Sequence, residues 1–142
     1  MNKLISLFSI LFSIIQIVLS FIIIIENKTI PTHWNLLGEV DEYGSSINIL
    51  IITIINILSF ISLTFLSNHP EICNFPSPYK NKKIAFKKMS NLITLIKLFI
   101  SVIFFYITLS CLFNIFNVYF LIIIFVCLVV ETIIGVVGLV KS

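Results

Sequence analysis

The chain has 142 residues, 59% of them hydrophobic and 11% charged, with a formal net charge of +3 and a mean hydropathy of +1.18. Soluble domains are about half apolar and about a quarter charged. This composition therefore excludes an ordinary soluble enzyme or binding module and points to one all-α integral membrane domain over residues 1–142.

The first apolar run covers residues 4–25. Lys3 precedes it, as in a secretory leader, but the run exceeds the ~7–15 residues of a leader's apolar core. No small-x-small cleavage site follows Ile25, so a retained helix is expected. Ser6, Ser9, Ser13, Gln16 and Ser20 recur at alternating steps of three and four, which puts them on one helical face. A polar segment follows, discussed below. The second run, 47–66, carries Thr53, Asn56 and Ser59 at three-residue spacing. A loop with Lys80, Lys82, Lys83, Lys87 and Lys88 leads to the third run, 92–113, whose polar stripe is Asn91, Thr94, Lys97, Ser101 and Thr108. A short turn at Asn114–Asn117 leads to the fourth run, 118–140, with Glu131, Gly135 and Gly138 on one stripe.

A hydrocarbon core of ~30 Å takes ~20 helical residues to cross. All four runs are long enough, and they are continuously apolar rather than alternating, so helices are expected and not a barrel. Small and polar stripes in membrane helices face other helices. The expected fold is an antiparallel four-helix transmembrane bundle with a structured outward loop between helices one and two.

The basic residues are nine Lys and no Arg. Lys3, the Lys-rich loop and Lys141 fall on one side of such a bundle, and only Lys28 on the other. The positive-inside rule puts both termini in the cytoplasm of a multi-pass cell-membrane protein and the polar segment outside. Topology and anionic lipid account for the Lys clusters, so the bilayer is an expected partner and nucleic acid is not. Cys73, Cys111 and Cys127 show no short-range pairing pattern, and they are given no role.

Two ionisable residues lie within the runs. Lys97 is about 12 Å of helix rise beyond Met89, and Glu131 about 15 Å before Lys141. Antiparallel neighbours would bring them to similar depth, so a Lys97–Glu131 intramembrane pair is expected, with Gln16 or Asn56 beside it. It reads either as a bundle lock or as part of an ion relay.

The polar segment carries more chemistry than a connection needs. Pro31 fixes φ, Gly38 and Gly44 permit tight turns, and Trp34 and Tyr43 are amphipathic rings of the kind found at membrane boundaries. Glu39, Asp41 and Glu42 form an acidic patch near His33. Three readings stay open. One is a loop capping the bundle mouth, with Asp41 on backbone amides and Ser45 or Ser46 capping span two. The second is a recognition surface for an extracellular peptide or protein. The third is a metal site on His33 and the carboxylates, which falls short of the usual three or four well-defined ligands. No metal, cofactor or catalytic residue is expected, because no nucleophile–base constellation appears.

The string Pro31, His33, Trp34, Asn35, Gly38, Asp41, Tyr43, Gly44 and Ser45 resembles the signature of the DUF1648 family, Pro-x-His-(Trp/Phe)-Asn-x-x-Gly-x-x-Asp-x-(Tyr/Trp)-Gly-Ser. It falls within residues 30–45, after a first membrane helix, as in that family. The chain departs from the pattern at Ser46, where many members carry Lys or Arg. Asn68-His69-Pro70-Glu71 and Asn74-Phe75-Pro76 resemble the cytoplasmic loop of short members. The resemblance implies a bacterial membrane protein. The same domain opens the SdpI-type immunity proteins, which protect a cell from a secreted toxic peptide; the further helices of that architecture are not expected here. The leading expectation is a non-enzymatic protein of immunity or peptide sensing, acting through the His33–Ser45 loop. The alternative is a small transporter, or an accessory or structural subunit of a membrane complex, using Lys97 and Glu131.

Overall fold

The computed structural model describes residues 2–27, 29–73 and 81–140. Lys28, Lys80, Lys141 and the Asn74-Phe75-Pro76 string lie outside the described residues. Among the described residues four helices are long and apolar enough to cross a membrane, and the chain is a multi-pass membrane protein in composition and architecture. In chain order the elements are α1 (Asn2–Glu26), β1 (Thr29–Trp34), β2 (Val40–Ser45), a 3-10 turn (Ser46–Asn48), α2 (Ile49–Asn68), a second 3-10 turn (Pro70–Ile72), α3 (Lys82–Phe113) and α4 (Val118–Val140).

Asparagines punctuate the helices. Asn27 and Asn114 take positive φ, 48° and 55°, at the ends of α1 and α3; a short side chain tolerates this left-handed conformation where bulkier residues do not. Asn117 starts α4, its Oδ1 accepting from Tyr119 N at 3.0 Å and Phe120 N at 3.2 Å. Asn81 does the same for α3, accepting from Ile84 N at 3.2 Å. That cap lies eleven residues before the expected start of span three. Lys82, Lys83, Lys87 and Lys88 therefore ride on the opening turns of α3 instead of forming a loop.

Side-chain contacts give the helix directions. Ser6 meets Lys97, Ser13 meets Ser101 and Gln16 meets Thr108, so α1 and α3 run parallel. Gln16 meets Asn56 and Ser20 meets Thr53, so α2 runs against them. Lys88 reaches Gly138 and Tyr106 meets Phe120, so α4 runs against α3. The expectation of a four-membered bundle needs correction in its packing. α3 is the central helix, touching α1, α2 and α4, whereas α4 lies chiefly against α3. Only Ile124 and Leu139 of α4 are buried.

The interior is apolar at its ends and polar in its middle. Ile23, Ile30, Ile49 and Cys111 form a cluster at the hairpin end. Ala85, Met89, Ile93 and Leu139 form another at the opposite end. Between them Ser9, Ser13, Gln16, Ser20, Thr53, Asn56, Lys97, Ser101 and Thr108 are all buried. Large apolar residues such as Phe21, Leu58, Phe125 and Ile134 point outward. This is the pattern of helices solvated by lipid, where packing and interhelical hydrogen bonds replace the hydrophobic drive.

Candidate functional site

The structured loop expected between α1 and α2 is a β-hairpin, a two-stranded addition to a mainly helical chain. β1 and β2 pair antiparallel, with Thr29 opposite Ser45, Ile30 opposite Gly44 and Pro31 opposite Tyr43, and irregularities around His33. β1 is the seated strand. Ile30 and Pro31 are buried, and the Cys111 thiol points to the Pro31 carbonyl oxygen at 3.7 Å. β2 is the outer strand, with Asp41, Glu42 and Tyr43 all exposed. Proline suits this position, because it has no N–H to lose to a ladder.

The turn is organised by Asn35. Its Oδ1 accepts from Leu37 N at 2.9 Å and Glu39 N at 3.0 Å, and its Nδ2 donates to Glu39 Oε2 at 2.9 Å. Gly38 closes the turn at φ 83°, and a Cβ there would stand 2.9 Å from the Phe116 carbonyl oxygen. The turn tip thus touches the α3–α4 connection. Trp34 stacks on Phe116, with centroids 4.7 Å apart and planes 21° apart. Tyr106 packs on Phe120 at 4.7 Å, and its hydroxyl oxygen accepts from Asn117 N at 2.6 Å. Four aromatic rings, from β1, α3, α4 and the α3–α4 connection, therefore pin the hairpin across the bundle end. Trp34 was singled out in the sequence; Phe116, Tyr106 and Phe120 were not. Their only sequence signal is that aromatics flank the Asn114–Asn117 turn.

His33 and Asp41 meet across the hairpin, Nδ1 to Oδ1 at 2.6 Å, with 63% and 45% of their side chains exposed. The capping expectation is thus half right. Ser45 Oγ accepts from Ile47 N at 3.4 Å ahead of α2, but Asp41 bonds the His33 ring and not backbone amides. Gly44 fills a close approach, since a Cβ there would meet the Thr32 methyl at 2.7 Å and Asn48 Nδ2 at 2.8 Å. Among the described residues no three His, Cys, Asp or Glu side chains come together as metal ligands would. At the other end of the molecule His69 Nδ1 stands 3.2 Å from Glu71 Oε1. Glu71's own backbone amide, then His69, hold that carboxyl below its usual range.

Beneath the hairpin lies the polar interior, with Gln16 at its hub. Gln16 Nε2 faces the hydroxyls of Ser20 at 3.0 Å, Thr53 at 3.2 Å and Thr108 at 3.0 Å. Gln16 Oε1 accepts from Asn56 Nδ2 at 2.9 Å. Asn56 Oδ1 is buried with no partner among the described residues.

The expected Lys97–Glu131 pair is not formed. Lys97 Nζ reaches Thr64 Oγ1 at 3.2 Å and Ser6 Oγ at 3.4 Å, and lies 5.0 Å from the centroid of the Phe60 ring. Glu131 is exposed on α4 beside a cleft of about 210 Å³ lined by Lys88, Asn91, Gly135 and Gly138. The reason is rotational. α3 meets α4 through Leu92, which contacts Gly135, and Lys97 lies five residues further on. Five residues at 3.6 per turn rotate the side chain by about 140°. Equal depth does not make two residues face each other.

No family model, no curated protein and no solved structure matches the chain.

Proposed function

We propose that this chain is a non-enzymatic bacterial membrane protein of the DUF1648 type, with both termini cytoplasmic and the hairpin outward, that senses or gives immunity to a secreted toxic peptide. The observation that carries the reading is the division of labour in the hairpin. β1 is sunk into the bundle and locked by aromatic stacking, while β2 offers Asp41, Glu42 and Tyr43 to solvent. A loop that merely joined two helices would not need a seated strand and a presented one. Acidic side chains beside an exposed ring suit a basic, amphipathic peptide. The test is survival of expressing cells against such peptides. Asp41→Ala and Glu42→Ala variants that accumulate normally should lose protection. Equal protection by these variants removes the hairpin from the mechanism.

A second reading, an accessory subunit of a membrane complex, is favoured by α4. Glu131 has no partner among the described residues, and a carboxyl in an apolar span is costly unless a neighbour covers it. A complex recovered in mild detergent from wild type and lost with Glu131→Leu would favour this reading over the first.

A further inference from the structure

We infer that Lys97, Ser6 and Thr64 form a binding site for a small inorganic anion in the seam between α1 and α2. The argument is a count of donors and acceptors, independent of the peptide reading. Lys97 is 2% exposed, and no carboxylate lies within ion-pair distance of it among the described residues. Its ammonium carries three protons. Two point to the hydroxyl oxygens of Thr64 and Ser6, at 3.2 and 3.4 Å, both long for a charged donor, whose usual range is about 2.7–2.9 Å. The third has only the face of Phe60 near it.

The two hydroxyls complete the pattern. Most hydroxyls in the helices donate back to a carbonyl one turn earlier, as Ser20, Thr53, Thr94, Ser101 and Thr132 do. Ser6 and Thr64 accept from Lys97, and neither donates to any acceptor among the described residues. Three donor hydrogens without acceptors and one uncompensated positive charge therefore converge at a single buried place. A cation would be repelled there. A halide-sized anion would supply both the missing acceptor and the missing charge.

Access is short. Ser6 and Thr64 are half-buried, not sealed. Each lies four residues from its helix end, at Asn2 and Asn68, which is about 6 Å of rise.

The test is equilibrium binding of radiolabelled chloride to the purified full chain in lipid-free detergent. Saturable binding is expected, competed by bromide. Lys97→Met should abolish it, and Lys88→Met should leave it intact. Thr64→Val, which removes one donor, should weaken it about tenfold. Should Lys97→Met fail to fold, Lys97→Arg, which keeps the charge, and Thr64→Val still decide, by retained and weakened binding respectively. Absence of saturable binding in folded wild type, or binding that survives Lys97→Met, overturns the assignment. So does displacement of chloride by phosphatidylglycerol at concentrations where bromide fails, since the site would then belong to a lipid headgroup.

Discussion

Replacing Gln16 with Leu should destabilise the protein by about 2 kcal/mol, and nearly all of that loss should pass through Asn56. The geometry makes the arithmetic specific. Gln16 Nε2 has two protons and three hydroxyls within reach, so one contact is already surplus. Ser20 and Thr53 keep other partners when Gln16 goes, since Ser20 bonds the Gln16 carbonyl at 3.0 Å and Thr53 bonds Ser20 at 2.8 Å. Thr108 can turn its hydroxyl to the preceding helical turn. Asn56 has no such escape: it is 1% exposed, its Oδ1 is unpaired, and Gln16 Oε1 is the acceptor for its Nδ2. A stranded buried amide costs about 1–3 kcal/mol, against about 0.6 kcal/mol for an average interhelical hydrogen bond in a membrane. Asn56→Leu alone strands Gln16 Oε1 and should cost about 1 kcal/mol. The double variant Gln16→Leu/Asn56→Leu should return to within about 1 kcal/mol of wild type, because it removes both orphans together. Reversible unfolding in mixed micelles, followed by far-ultraviolet circular dichroism, measures all three. A Gln16→Leu protein as stable as wild type would refute the reasoning, as would a double variant that loses the sum of both single losses.

Three further outcomes follow from single contacts. Gly38→Ala places a Cβ at positive φ and 2.9 Å from a backbone oxygen, so the turn should lift from Phe116 at a cost of about 1–2 kcal/mol; Trp34 is the sole tryptophan, and its emission should shift to the red, whereas unchanged emission would break the proposed docking. Gly135→Ala and Gly138→Ala should diverge, since a Cβ at Gly135 meets Leu92 Cδ1 at 2.5 Å and one at Gly138 meets nothing within 4 Å among the described residues; unfolding midpoints should fall for the first and hold or rise, by up to about 1 kcal/mol of helix propensity, for the second. Glu131→Gln should leave the stability of the isolated chain within about 0.5 kcal/mol of wild type, because no ion pair is lost; a large destabilisation would restore a partner for Glu131.

The polar axis was legible in the sequence because its signal is periodic. Steps of three and four in Ser6, Ser9, Ser13, Gln16 and Ser20 state a helical face directly, and the structure buries all but Ser6 of that stripe. Thr94, Lys97, Ser101 and Thr108 likewise share the buried face of α3. The same stripe held the clue that the ion-pair expectation overlooked. Lys97 travels with the residues that meet α1 and α2, so its face could not also be the one that meets α4. The hairpin was less legible. Its strands are six residues each, with Pro31 interrupting β1 and three acids in and beside β2, so the alternating signal is weak. The long start of α3 was hidden by its charge. Four Lys in seven residues read as a loop, although Ala85, Met89 and Ile93 at four-residue spacing mark a buried helical face among them. The special residues of the turn, Asn35 and Gly38, were visible as residue types; the surface they close against was not, because Phe116 is separated from them by two membrane spans.

The account rests above all on the hairpin facing away from the cytoplasm, and thiol labelling in intact cells tests that most directly. With Cys73, Cys111 and Cys127 replaced, one cysteine is placed at Leu36, 92% exposed at the turn tip, or at Asn81, exposed at the opposite end. A membrane-impermeant reagent should label the Leu36 position in intact cells and the Asn81 position only after lysis. Labelling of Asn81 and not Leu36 in intact cells would put the hairpin in the cytoplasm and contradict recognition of a secreted peptide.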